Sequence, residues 1–146
     1  MKKLVLMFGV LAFSSFNAAA ATDFLAIKTL RCKFDETFFT STYGEKGGQV
    51  KTEKNSDIME IVFDSINRTS GKARLIGNAG AEDVTISGTN GVLHIVEITP
   101  SGNMNLVTVY NHPMPNDGLF AINSRHVGNA QFPMVSHMIG NCTPLQ

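Results

Sequence analysis

The strongest constraint on this chain is its punctuation. From residue 30 onward, short segments of alternating apolar and polar residues are cut by turn signals at roughly 10–13-residue spacing, with no sustained helical period between them. Leu30, Cys32 and Phe34 alternate with Arg31, Lys33 and Asp35, the pattern of a half-buried strand with its cysteine facing inward. Phe38, Phe39 and Tyr43 continue that strand up to Gly44. The segment before it, from Asp23, reads as one capped helical turn or as the lead-in to the strand. Residues 45–57 are polar, carry Gly47-Gly48 and alternate in charge, which predicts an exposed loop or hairpin tip.

Further strands are predicted over 58–63, 73–76, 83–87, 92–99, 104–110, 119–123 and 135–139. Their boundaries are turn residues: Asp64-Ser65-Ile66-Asn67, Thr69-Ser70-Gly71, Gly77-Asn78-Ala79-Gly80, Pro100-Ser101-Gly102-Asn103, Asn111-His112-Pro113 and Asn116-Asp117-Gly118. Thr89-Asn90-Gly91 is the strongest hairpin signal, because Asn-Gly accepts the positive φ angles of a type I′ turn. About eight strands in hairpin order form an antiparallel meander. A chain of this size hides its edges best by closing into a small barrel, lipocalin-like in outline, or a two-sheet sandwich.

The first twenty-one residues stand apart. Met1-Lys2-Lys3 is basic, an apolar run follows from Leu4, and residues 18–21 are all alanine. This is the layout of a cleaved secretory signal, and its apolar run is about half the roughly twenty residues a membrane-spanning helix needs. A single domain over 22–146 is expected, periplasmic or secreted. The two cysteines, Cys32 and Cys142, then meet an oxidising compartment and form one disulfide. Closing a loop of about 109 residues stabilises a fold by roughly 4–5 kcal/mol in the chain-entropy model.

Charge excludes several functions. Two of the 12 Lys+Arg leave with the leader, so ten face 12 Asp+Glu. A mildly acidic domain is a poor partner for nucleic acid, whose phosphates need several cations at once. It also has no basic amphipathic helix for a membrane surface and no second apolar stretch long enough to span one.

The reactive side chains gather late. In Ser124-Arg125-His126, Ser124 and His126 fall on one face of a strand and Arg125 on the other. Ser and His without a Gly-x-Ser-x-Gly elbow or an assigned third group make no catalytic set, so no catalytic residue is assigned. Arg125, with Ser124, His126 and His137 beside it, is the candidate binding group, since its planar fork matches a carboxylate or phosphate. His94, His112, His126 and His137 have no close local pair of the kind zinc sites use, and neither cysteine has one, so neither metal nor cofactor is expected. Glu82-Asp83, Asp35-Glu36 and Glu97 do not form a recognisable glycosidase pair. Asn67-Arg68-Thr69 matches a glycosylation acceptor, but the short lysine start has the look of a bacterial leader, and the match is read as chance.

Three stretches carry a resemblance: Phe120–His126 followed by Pro133 and Gly140-Asn141-Cys142, the segments 71–75 and 77–80, and the turn-to-strand at 102–106. The chain resembles a group of small exported bacterial proteins in which Ser-Arg-His near the end is followed by Gly-x-Cys. That resemblance implies location and fold and carries no activity. Where the group has Ser-Gln before its final Gly-x-Cys, this chain has Ser136-His137. In size, leader, strand content and terminal cysteine it is also similar to periplasmic lysozyme inhibitors of the small-barrel kind. Their Ser-Gly-x-x-Tyr loop is not found, since Ser70-Gly71 is followed by Lys72-Ala73-Arg74.

The expected function is therefore a non-enzymatic barrel that binds a small ligand or an envelope protein. The alternatives are a protein inhibitor of a cell-wall hydrolase and, third, a hydrolase using Ser124 and His126.

Overall fold

The computed structural model describes residues 23–41, 49–53, 58–77, 80–127 and 134–145, and the predicted leader lies outside them. The strands are β1 (Thr29–Ser41), β2 (Gln49–Glu53), β3 (Met59–Asn67), β4 (Lys72–Gly77), β5 (Gly80–Gly88), β6 (Val92–Ile98), β7 (Met104–Met114), β8 (Gly118–Val127) and β9 (Met134–Leu145). Each strand from β3 onward pairs antiparallel with the next, and β1 pairs with β9 to close the wall. β2 and β3 share one edge of β1, β2 along Thr37–Ser41 and β3 along Leu30–Phe34, so nine segments make eight staves. The expected barrel forms, and the sandwich does not.

The seam is where the cysteines meet. Cys32 and Cys142 are direct register partners on β1 and β9, with Cα atoms 3.9 Å apart, and both are fully buried in the disulfide. Two residues before Cys142, Gly140 sits where β1 bulges between Phe34 and Glu36. A Cβ at Gly140 would run into the backbone of Lys33 and Phe34, so the seam closes only with glycine there. The Gly-x-Cys ending thus has a packing reason: one residue lets the strands approach and the other ties them.

Several predicted boundaries move. β2 falls inside the stretch expected to be a loop, because backbone pairing to the end of β1 needs no apolar alternation. Asp64–Asn67 does not end β3. Ser65 takes φ 53°, the ladder shifts between Asp64 and Asn67, and Ile66 turns inward to full burial. Asn111-His112-Pro113 does not end β7, since the strand runs to Met114 through an irregularity between Val109 and Pro113 that accommodates the missing proline N–H.

The type I′ turn also sits elsewhere. Neither Asn90 nor Gly91 has positive φ, whereas Asn116 and Asp117 do, at 61° and 56°, under a bond from the Gly118 N–H to the Pro115 carbonyl. At Thr89 the side-chain oxygen instead accepts from the Gly91 N–H, an alternative way to turn.

One end of the barrel is plugged. Asp23 caps a single turn, its carboxylate accepting from the Leu25 N–H, and this turn delivers Phe24 and Ile27 to buried positions. Arg68 lies 4.9 Å from the Phe24 ring centroid and donates to the Phe24 carbonyl oxygen at 3.1 Å. Burial lowers the Arg68 pKa, and Asp23 opposes that shift. With Leu30, Ile66, Leu93, Val109 and Leu119 these side chains fill the interior here, each large one contributing roughly 1.5–3 kcal/mol by leaving water.

Candidate functional site

The opposite end, where β1, β4, β6 and β8 finish and β5, β7 and β9 begin, is not filled in the same way by the described residues. A cavity of about 340 Å³ opens there inside the barrel, at the lower end of the roughly 300–1,000 Å³ that small-molecule pockets span. Its walls are apolar: Met59, Ile61 and Phe63 from β3, Leu75 from β4, Ile95 and Val107 from β6 and β7, and Met138 from β9.

Its polar groups lie in ordered rows, because cross-strand partners share a face. Glu97 pairs with Asn105, Asn105 with Arg125, and Arg125 with Ser136, giving one inward row across β6, β7, β8 and β9 at the mouth. The next row inward is Ile95, Val107, Asn123 and Met138. Below that, Leu93, Val109, Ala121 and Gly140 are apolar or bare and begin the filled half.

The polar side chains differ in how well they are partnered. Asn105 donates its amide to Oε2 of Glu97. Arg125 lines the cavity from an exposed position and has no hydrogen-bond or ion-pair partner among the described residues. Asn123 is only 3% exposed. Its amide nitrogen reaches the Met138 sulfur at 3.9 Å, and its carbonyl oxygen has no partner among the described residues. A buried acceptor left open costs about 1–3 kcal/mol, so this oxygen is the least expected atom in the wall.

The sequence-selected residues divide across the two faces of β8. Arg125 points into the cavity. Ser124 and His126 lie on the outer face, as strand alternation requires. Ser124 meets His137, its cross-strand partner on β9, with Oγ 2.9 Å from Nδ1. No carboxylate orients His137 among the described residues, and the pair is exposed rather than set in the cavity. His94 likewise bonds across the outer face, its Nδ1 3.0 Å from the Thr108 hydroxyl. The outer wall elsewhere carries the ion pairs: Arg31 and Lys33 each lie 3.4 Å from Glu60, and Arg74 grips Asp64 with two bonds of 2.8 and 2.7 Å.

Glu97 as a cavity group, Asn105 and Asn123 were not singled out by sequence reading. No count from the inward cysteine finds them: stepping back by twos from Cys142 lands on Ser124 and His126, and it is the β8–β9 register, with Ser136 opposite Arg125 and Met138 opposite Asn123, that turns the odd-numbered residues of β8 inward.

Among the described residues, the cavity lining holds no histidine, lysine or cysteine, and its ionisable groups are Glu97 and Arg125. Chemically, this arrangement offers apolar walls to an apolar body, with charge and hydrogen-bonding groups at the mouth.

No family model and no curated protein matches the sequence. Among solved structures, the fold is similar to the monomer form of the M. tuberculosis PknI sensor domain, with a TM-score of 0.50 over 82% of this chain and 86% of that chain. At 11% identity the likeness is one of fold alone.

Proposed function

We propose that this protein is a non-enzymatic binding barrel of an oxidising, exported compartment that takes one small apolar molecule with an anionic end into its open half. The observation that carries the reading is Arg125: a guanidinium without a described partner, at the mouth of an apolar cavity of about 340 Å³. A planar fork in that position matches a carboxylate, with both oxygens engaged. The sensor-domain likeness is compatible with a binding role, and the buried disulfide and basic-apolar-alanine leader support export.

Titration calorimetry on the disulfide-intact protein, with a panel of short branched and straight-chain carboxylates and amino acids, tests this. Saturable binding is expected to weaken at least tenfold in Arg125→Ala, to vanish in Val107→Phe, which fills the cavity, and to be unchanged in Ser124→Ala on the outer face. Equal binding by Arg125→Ala and the unaltered protein would remove the reading.

A further inference from the structure

The cavity asks for more than an anion. Among the described residues, one cation and one carboxylate stand at its mouth, Arg125 on β8 and Glu97 on β6, with Asn105 on β7 between them in the same inward row. They do not neutralise each other: no ion pair joins them, and each has unused capacity. Asn105 takes up one oxygen of Glu97, which leaves the other without a described partner. One row deeper, the Asn123 carbonyl oxygen also wants a donor, at a residue 3% exposed. The unmet demands are thus an acceptor pair for Arg125, a donor for Glu97 and a donor for Asn123.

A simple carboxylate meets only the first demand. It also brings a negative charge into a confined mouth beside Glu97, where like-charge proximity disfavours binding. A plain amine fails in mirror image against Arg125. A molecule with both charges satisfies both groups and adds no net charge to the site. Below the mouth, the walls of Ile61, Phe63, Leu75, Ile95, Val107 and Met138 exclude a polar or charged tail.

We infer that the ligand is a small zwitterion with an apolar side chain, of the apolar α-amino acid class, its carboxylate on Arg125 and its ammonium on Glu97. This rests on the binding-barrel reading and narrows it. The side chain enters the apolar rows, and an ammonium hydrogen or a second donor on the ligand serves Asn123.

Calorimetry with three compounds on the unaltered full chain separates the possibilities without relying on any variant's folding. The probes are leucine, 4-methylpentanoate, which lacks the amine, and 3-methylbutylamine, which lacks the carboxylate. Leucine is expected to bind at least tenfold more tightly than either analogue. Glu97→Gln keeps an acceptor for Asn105 but removes the charge, and should lower leucine affinity at least tenfold while leaving 4-methylpentanoate unchanged or improved. If 4-methylpentanoate binds as tightly as leucine and Glu97→Gln is indifferent, the zwitterion inference falls and the binding barrel stands. If none of the panel binds, and Val107→Phe leaves every titration as flat as before, the barrel reading falls with it.

Discussion

Replacing Asn123 with leucine should make the protein more stable and less able to bind. The residue is 3% exposed, and its carbonyl oxygen has no partner among the described residues. Leaving such an acceptor buried and open costs about 1–3 kcal/mol. What the substitution gives up is a single amide contact to the Met138 sulfur at 3.9 Å, a weak bond. Leucine is bulkier, but the adjoining cavity of about 340 Å³ receives the extra methyl groups without overpacking. The net expectation is a gain of about 1–2 kcal/mol in the ligand-free protein, or roughly 4–8 °C in Tm for a domain of this size. Urea and thermal unfolding followed by far-UV circular dichroism, with the disulfide intact, measure it directly. Leucine titration of the same variant should show at least a tenfold loss. A fall in stability of 1 kcal/mol or more would mean that the Asn123 oxygen is paired in the folded protein, and the argument from an open acceptor would be refuted.

Other regions give equally definite expectations. Cys32→Ala with Cys142→Ala removes a cross-link spanning 110 residues of sequence and should cost about 4–5 kcal/mol, read as a lower urea midpoint. Gly140→Ala pushes a methyl group into the Lys33 and Phe34 backbone and should cost about 1–3 kcal/mol or prevent the seam from closing, detected by the same unfolding curves. The twofold bond from Arg74 holds the Asp64 carboxyl below its ordinary pKa, so this pair stabilises the fold above the unfolded carboxylate value and stops doing so as pH falls through the folded one. Asp64→Asn should therefore be less stable than the unaltered protein near neutrality, with the gap closing below about pH 4 and narrowing in high salt.

How much of this was legible in the sequence depended on where hydropathy alternates on one side only. Along β1, apolar Leu30, Cys32 and Phe34 face charged Arg31, Lys33 and Asp35, so inside and outside are unambiguous, and both the disulfide and the closed wall follow. Along β8 the two faces compete. Leu119, Ala121, Asn123 and Arg125 point inward, while outward-facing Phe120, Ile122, Ser124 and His126 are equally mixed. Hydropathy alone cannot assign that strand, and the cavity lies behind it. β2 was hidden for a related reason: its pairing is made by backbone groups, and Gln49, Lys51 and Glu53 carry no apolar signal. The turn at Asn116-Asp117 was visible as a turn, but the positive φ angles fell there rather than at Asn90-Gly91, because a Thr89 side-chain bond supports a different turn at that hairpin.

Not every polar group in the open half says the same thing about function. Glu97 and Arg125 stand at the mouth, where water reaches them, and charges in such places cost the fold little. Asn123 is different, because it sits a row deeper, flanked in register by Val107 and Met138, with Ile95 next along the row. A leucine or valine there would simply extend the core that already fills the plugged end. Protein interiors keep such an amide when something bonds to it, and no described group bonds to its oxygen. The stability that leucine would add at position 123 is therefore the measure of what the fold gives up to keep a hydrogen-bond acceptor inside the barrel. The proposed binding role requires such an acceptor, whereas a core shaped only for folding does not.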